Sequence, residues 1–406
     1  MIKVGLDVGN SKISSIVCDK KNNNSIKTLS FVVNPIKNVK KNFLDDLTTI
    51  KDQVRKTIVQ AQKESQTEIK SIILAMPAIE SLSVFNEVEI DISGEKINDL
   101  HLKKAINESK ILNPIENYET INNLVINYNL DKKISNINPI GSYGDILKIN
   151  FYKFLIKKNI INTFTNLFNE LNIHVEEFVP IPMSSSLATL NEDDKLLGAI
   201  CIDLGASSSS IAIYENEKII FMGAINIGAH NITNDIARGI STTIESAERL
   251  KTLHGSVISS PSDENDIIEV SQLSKDPSKY KQINRSNVNQ IIKPRVEENL
   301  ELIWQKLKDH NLHKKQIKNL VLTGGGSLLE GINEYAQIIF DSNVRIGKPH
   351  PIEGLNSKYL NPQFSQTIGT ILFNKQDHDI DFLKNKEKNN KNTVFSRFSS
   401  WLDQYI

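Results

Sequence analysis

Two short stretches of the 406-residue chain repeat one another, and that repeat restricts what the chain can fold into. The first is Leu6-Asp7-Val8-Gly9-Asn10-Ser11; the second is Ile202-Asp203-Leu204-Gly205-Ala206-Ser207. Each reads as an apolar strand ending in Asp, then Gly, a turn of small residues and a second strand (Ile13 to Val17; Ile211 to Tyr214). A tight Gly-containing turn presents backbone N–H groups that can hold phosphate oxygens. A carboxylate at the strand end suits a hydrated Mg²⁺. Two such hairpins facing each other would clamp the phosphates of one nucleotide. Singly, each reads more readily as an ordinary β-hairpin with Asp-Gly turn chemistry; the repeat and its wide separation favour the clamp.

A third stretch completes the pattern. Lys318 to Leu322 reads as a buried strand and runs into Thr323-Gly324-Gly325-Gly326-Ser327. Leu328, Leu329, Ile332 and Tyr335 then recur at helical spacing, which predicts a helix over 328–340 beginning directly after the glycines. Such an order puts N–H groups and a helix N-terminus beside a ligand, and glycine lets the backbone approach a flat base. The spacing matches neither the Walker nor the Rossmann pattern.

Hairpin, hairpin and Gly-rich turn, in that order, resemble the actin/Hsp70/sugar-kinase nucleotide-binding superfamily. Within it the chain resembles the FtsA family of bacterial cell division proteins. The matching stretches are Gly5 to Lys12, Asn138-Pro139-Ile140-Gly141 with Gly144, Ala199 to Tyr214, Gly228 to Ile236, Ala247 to Gly255, Lys293-Pro294-Arg295 and Leu322 to Ser327. They span nearly the whole chain in order. The resemblance implies an α/β protein with an actin-like two-lobed ATPase fold, an inserted FtsA-type subdomain and a C-terminal amphipathic helix. It divides the chain into a first subdomain (1–84, 160–195 and 350–375), the insertion (85–159), a second lobe (196–227 with 300–349), a side subdomain (228–299), a linker (376–392) and the terminal helix (393–406).

It also implies ATP and Mg²⁺ as cofactors. Asp7, Gly9, Asn10, Ser11 and Lys12 would form one clamp; Asp203, Gly205, Ala206, Ser207 and Ser208 the other; Gly228, Glu248, Lys251, Gly324, Gly325, Gly326 and Ser327 would complete the nucleotide site. Asp7 and Asp203 would hold Mg²⁺ through water. Family members usually carry more glycine and a Thr in the second clamp. Here Ser207 and Ser208 keep the hydroxyl, while Ala206 limits backbone approach.

Composition sets outer bounds. An apolar content of 39% with 24% charged residues suits a globular protein of two to four domains. A net charge of zero gives no global field toward nucleic acid, so no nucleic-acid partner is expected. Cys18 and Cys201 sit in predicted core strands and form no metal motif. The N-terminus enters a strand through Lys3, which predicts no signal peptide. No apolar run approaches the ~20 residues of a spanning helix.

Along the chain, residues 1 to 33 read as three strands. Leu44, Leu47, Ile50, Val54, Ile58 and Ala61 mark one face of a helix, and Ser71 to Met76 a buried strand. The insertion reads as strands at Val84 to Ile92, Thr120 to Asn129 and Ile146 to Ile156, a helix at Leu100 to Ile111, and a loop from Ile134 to Gly144. Its place outside the clamp suits partner contact rather than chemistry. A helix at Ile160 to Leu171, a strand at Val175 to Phe178 and a Pro-initiated helix at Pro182 to Leu190 follow. In several actin-like families a Glu or Gln just before that Pro positions the attacking water. Ile181 stands there in this chain, so the resemblance implies weak or no ATP hydrolysis. Further on, helices are predicted at about Thr233 to Gly239, at Val288 to Leu307 with Pro294 inside, and at Phe364 to Phe373.

Glu248 and Lys251 lie three apart on one helix face. In the superfamily, Glu-x-x-Lys here reaches the adenosine; the alternative is an exposed intrahelical ion pair worth a few tenths of a kcal/mol. Arg295 follows Pro294, and in FtsA-like proteins the matching position faces the carboxyl-terminal peptide of FtsZ; otherwise it belongs to a solvated charged helix.

Asn374 to Asn392 is polar and lysine-rich and reads as a linker. Beyond it, Val394, Phe395, Phe398, Trp401, Leu402, Tyr405 and Ile406 form one apolar stripe at helical period, with Thr393 as N-cap. Trp and Tyr suit the lipid headgroup layer. Each nearby Lys or Arg adds roughly 1 kcal/mol at an anionic surface. The stripe therefore predicts an interfacial anchor in which Phe395, Phe398, Trp401, Leu402 and Tyr405 meet an anionic membrane. The other possibility is a helix docked on protein.

The leading expectation is a structural adaptor at the cytoplasmic face of the inner membrane at the division septum. It binds ATP, self-associates, holds FtsZ filaments by their C-terminal peptide and recruits later divisome proteins through the insertion. A sugar-kinase-like phosphotransferase would need a catalytic carboxylate beside an acceptor pocket, and none is evident. An Hsp70-like chaperone lacks room for a peptide-binding domain. A pilus-assembly actin homologue stays open as the alternative, since its body and insertion are similar, though the aromatic tail speaks against it.

Overall fold

The computed structural model describes residues 1–21, 25–36, 46–273, 280–310, 312 and 319–374. The described chain forms two units, one made of Met1–Leu82 with Ile156–Phe373, the other built on Ser83–Leu155.

The first unit opens with β1 (Ile2–Val8), β2 (Lys12–Lys20) and β3 (Ile26–Pro35), followed by α1 (Leu47–Ser65) and β4 (Ser71–Met76). Asp46 caps α1 by accepting from the Thr49 N–H, and the apolar face predicted from spacing is buried at Ile50, Val54, Ile58 and Ala61, whereas Leu47 is exposed and Leu44 lies outside the described residues. Antiparallel pairing of β1 with β2 sets Asp7 opposite Ser14.

The second unit holds β5 (Leu82–Asp91), α2 (Asp99–Ile111), β6 (Tyr118–Leu130), β7 (Lys133–Ser135) and β8 (Ile146–Lys157), with sheet order β5-β8-β6-β7. Val88, Ile90, Leu102, Leu147, Ile149 and Phe151 form its core. The predicted loop at Ile134 to Gly144 begins inside β7, because the turn Asp131-Lys132, both at positive φ, folds that segment back onto β6.

In the first unit the chain continues through α3 (Lys158–Asn169), β9 (His174–Pro180), α4 (Ile181–Thr189) and α5 (Glu192–Leu197). The last was not evident from spacing; it is one short turn held by an Asn191–Asp194 capping box. Then come β10 (Ala199–Leu204), β11 (Ser209–Glu215), β12 (Lys218–Ile225), α6 (Ala229–Ile240), α7 (Ile244–His254), β13 (Ile267–Ser271), β14 (Tyr280–Asn284) and α8 (Arg285–Asp309). The unit closes with β15 (Asn319–Thr323), α9 (Ile332–Phe340), β16 (Asn343–Ile346) and α10 (Ser365–Leu372).

The repeat seen in sequence is a repeat of topology. One sheet runs β3-β2-β1-β4-β9 and the other β12-β11-β10-β15-β16. In both, an antiparallel hairpin pair is extended by two parallel strands. Asp203 lies opposite Ser210, as Asp7 lies opposite Ser14. Helix α10 reaches both sheets: the Ser365 and Thr323 hydroxyls share a hydrogen bond, as do those of Thr367 and Ser14, both 2.6 Å long.

Two helix predictions need correction. The helix after the triple glycine does not start at Leu328. Gly325–Leu328 forms a single 3-10 turn, Gly331 at φ +78° breaks the path, and α9 begins only at Ile332. α6 begins at Ala229, four residues before the predicted start at Thr233, because the N–H groups of Ala229 and His230 donate to the Gly205 and Ala206 carbonyls and anchor its first turn. Among the described residues no helix is long and apolar enough to cross a membrane.

Candidate functional site

The two hairpin turns are built alike. The Gly9 N–H donates to the Lys12 carbonyl and the Gly205 N–H to the Ser208 carbonyl, each at 3.0 Å. Between them lies a cavity of about 560 Å³, within the usual size range of small-molecule sites. Asp7, Gly9, Asn10, Ser11 and Lys12 line it from one turn, Gly205, Ala206, Ser207 and Ser208 from the other, with Glu248, Lys251, Gly325 and Gly326 beyond.

Four predicted site residues do not line the cavity but shape it. Gly228 packs on the second turn, where a Cβ would lie 2.5 Å from the Ala206 carbonyl oxygen. Gly324 adopts φ +81°, and a Cβ there would meet Asp203 Oδ1 at 2.3 Å. The Ser327 hydroxyl donates to the Gly324 carbonyl at 2.8 Å, so it holds the 3-10 turn together. Asp203 is buried behind the second turn. Its two carboxylate oxygens accept from Gln366 Nε2 at 3.1 Å each, and Oδ2 also accepts from the Ser185 hydroxyl.

Asp7 has the opposite character. It is buried, yet its Oδ1 has no hydrogen-bond partner, and the buried Asn10 Oδ1 is also unpartnered. Burial pushes the Asp7 carboxyl up to about 7, Lys12 pulls it back, and Asp203 adds to the rise. Burial holds the Lys12 ammonium below its usual range, against the pull of Asp7 and Asp203. Lys12 Nζ also lies 5.5 Å from the centre of the Phe364 ring. An orphaned carboxylate oxygen beside N–H-rich turns fits a cation-bound water with phosphate oxygens next to it. These residues therefore fit Mg²⁺ and a nucleotide phosphate chain.

Glu248 and Lys251 are not the exposed pair that spacing alone allows. The Lys251 side chain is 10% exposed; its Nζ bonds Glu248 Oε2 at 2.6 Å, the Thr233 hydroxyl at 2.9 Å and the Ala229 carbonyl at 3.3 Å. The pair thus ties α7 to the first turn of α6 while lining the cavity. Burial raises Glu248, but the Lys251 charge and the bonds from Lys251 and Thr233 outweigh it, leaving the carboxyl below its usual value. Burial, with the Lys251 charge adding, keeps the nearby His230 imidazole neutral-leaning.

Ile181 is buried and presents an apolar wall to the cavity. Arg295 lies on α8, paired with Asp235 of α6 and with Glu298. The predicted membrane residues Phe395, Phe398, Trp401, Leu402 and Tyr405 lie outside the described residues. Sequence reasoning missed Gln366, Ser185 and His230. His230 stands in the matching stretch Gly228 to Ile236, while Gln366 and Ser185 stand in none, and only the fold brings those two to the hairpins.

The profile of the family described as "Cell division protein FtsA" matches residues 200–369. The "Cell division protein FtsA" of Agrobacterium fabrum is 30% identical over 336 residues, covering 82% of this chain and 76% of that protein. The chain belongs to the FtsA family. The Escherichia coli K12 FtsA is 24% identical over 407 residues, covering 98% of this chain and 95% of that one. Among solved structures, a chain of the "PilM-PilN type IV pilus biogenesis complex" shares the fold at TM-score 0.60 and 14% identity, covering 91% of this chain and 97% of its own. MreB5 of Spiroplasma citri, solved bound to ADP, does so at TM-score 0.55 and 12% identity, covering 96% and 98%. These likenesses show an actin-like fold under an FtsA-family sequence.

Proposed function

We propose that this FtsA-family protein is an ATP-binding adaptor that tethers FtsZ filaments to the cytoplasmic face of the inner membrane at the division septum. The observation that carries the nucleotide part is the cavity between two matching Asp-Gly hairpins, one from each sheet. MreB5, of the same fold, was solved with ADP and with AMPPNP, which supports ATP as the ligand class. In this reading the turn residues Gly9 to Lys12 and Gly205 to Ser208 cradle the phosphates, and Asp7 Oδ1 accepts from water on Mg²⁺. Magnesium supplies charge neutralisation of the phosphates. Glu248 and Lys251 face the nucleoside from α7. Ile181 offers no hydrogen bond to a water, so hydrolysis is slow and bound ATP acts as a bridge between the two sheets.

The remaining parts rest on family membership and on sequence. The side subdomain bearing Arg295 would take the FtsZ C-terminal peptide, and the insertion would recruit later divisome proteins. Residues 393–406 would seat Phe395, Phe398, Trp401, Leu402 and Tyr405 in an anionic lipid surface, and self-association would add avidity. The test is co-sedimentation with anionic liposomes, comparing the full chain with one ending at Asn392, each with and without Mg-ATP. Pelleting of the full chain alone is expected, more strongly with Mg-ATP. Equal pelleting of the two chains, or none, rejects the tether.

A further inference from the structure

The two matching aspartates are not in matching states. Asp7 lines the cavity and keeps a buried oxygen with no partner. Asp203 sits at the equivalent register position, yet both its oxygens are taken by the Gln366 amide and one also by Ser185. Burial holds the Asp203 carboxyl above its usual range, and the bonds from Ser185 and Gln366 pull it back toward the ionised form; the Gln366 amide faces it with its nitrogen end, donating to both oxygens. Gln366 itself lines the cavity. The amide thus stands between the second hairpin's carboxylate and the space where a ligand binds.

We propose that Gln366 is a positioning residue that withholds Asp203 from divalent-cation binding, so that Asp7 alone couples the cation to the nucleotide. This rests on the nucleotide reading above. Gln366 lines the cavity and Asp203 does not, so a water on a hydrated cation reaching for Asp203 from the cavity would meet the amide that already donates to both its oxygens, and the two compete. The amide also meets the hydrogen-bonding needs of a buried carboxylate without adding charge. Asp203 is thereby satisfied within the fold, by α10 and α4, and needs no cation. The flanking residues keep Gln366 in place: Ser365 bonds Thr323 and Thr367 bonds Ser14, so α10 is not free to turn the amide away. Only the Gln366 side chain itself could swing aside.

The test measures binding of a fluorescent ATP analogue to the full chain in Mg²⁺ and in EDTA, and reads the ratio of the two affinities. The variants are Gln366→Ala, Gln366→Met (similar length, no donor), Ser185→Ala, Asp7→Asn and Asp203→Asn, each checked by thermal melting. Asp7→Asn is expected to abolish the Mg²⁺ dependence, whereas Asp203→Asn lowers affinity alike in both buffers. Both Gln366 variants should raise the ratio by at least about fivefold, the lower end of usual coupling between two ligands. An unchanged ratio in whichever Gln366 variant folds overturns the inference, as does collapse of the ratio in Asp203→Asn. Ser185→Ala should leave the ratio unchanged, because the Gln366 amide still reaches both Asp203 oxygens. Should Gln366→Ala and Gln366→Met both fail to fold, Gln366→Asn, one methylene shorter, decides: a raised ratio supports the inference and an unchanged one rejects it. Absence of wild-type binding in both buffers rejects the nucleotide reading, and this inference with it. Binding that responds to Asp7 but not to Gln366 rejects this inference alone.

Discussion

Gly369 of α10 crosses α4 so closely that a Cβ on Gly369 would lie 1.7 Å from the Ser184 carbonyl oxygen. No side-chain rotation relieves a clash with backbone, so α10 would have to lift away from α4. Gly369→Ala is expected to destabilise the protein by at least the roughly 1–3 kcal/mol typical of overpacking. A urea unfolding midpoint equal to the wild type's would show that the crossing is looser than described.

The buried end of the Glu248–Lys251 pair is the ammonium. Removing the carboxylate leaves that charge under-compensated, whereas removing the lysine leaves a half-exposed glutamate that water can solvate. Glu248→Ala should therefore cost about 1–3 kcal/mol, and Lys251→Met less. Thermal melting of the two variants side by side checks the order; the reverse order would contradict it.

Asp7 gives the ligand-free protein a pH signature. Its carboxyl titrates near 7 in the fold and at the ordinary 3.8 when unfolded. Between these values the folded state holds the extra proton, so stability falls as pH rises from about 4 to 7 and is then level in this contribution. Asp7→Asn should remove that loss, giving a variant more stable than wild type at pH 8 without nucleotide. Burial also holds Asp203 above its usual range and adds a loss of the same sign, so Asp7→Asn should flatten the slope without abolishing it. Denaturation curves at several pH values measure this, and a slope equal to the wild type's would refute the assignment.

Both cysteines should be inert in the native state. Cys18 and Cys201 are buried, and burial, eased slightly by hydrogen bonds to Thr28 and Thr189, pushes each thiol up to about 12. Thiol labelling at pH 8 is expected to proceed only as fast as the protein opens. Prompt modification of either residue without denaturant would count against this packing.

Ile181→Gln places a hydrogen-bonding group on the apolar wall of the cavity. If weak turnover follows from the missing polar group, this variant should hydrolyse ATP faster by about a hundredfold, the lower end of the range credited to a positioned acid–base group. Phosphate release under saturating Mg-ATP is the readout. An unchanged rate would place the limit elsewhere.

What could be read from sequence was local. Asp, Gly and small residues between apolar runs predict a hairpin wherever they fall, and both hairpins formed at the expected positions. The face of α1 was equally plain, since burial follows its three-and-four spacing. Failures came where distant contacts or backbone freedom decided the outcome. Leu328 and Leu329 keep helical spacing with Tyr335, but Gly331 at φ +78° separates them from α9. Asp263 stands in the polar stretch Ser256 to Asp276, which reads as loop or short strands, yet it is buried and accepts from Asn289 of α8. Nothing in Ser365-Gln366-Thr367 announces that three successive side chains reach three different strands or turns. The site was legible as two matching turns, whereas the residues that brace those turns were not.

The bracing has a consequence for how the chain is made. The first sheet is complete in strands once β9 has emerged, but Gly5 of β1 packs against Thr370, and Ser14 bonds Thr367. Those partners are synthesised more than 350 residues later. A nascent chain that has left the ribosome only as far as α4 carries a sheet whose covering helix does not yet exist, and must wait with that face open. Chaperone occupancy during translation should accordingly persist on the N-terminal half until α10 appears.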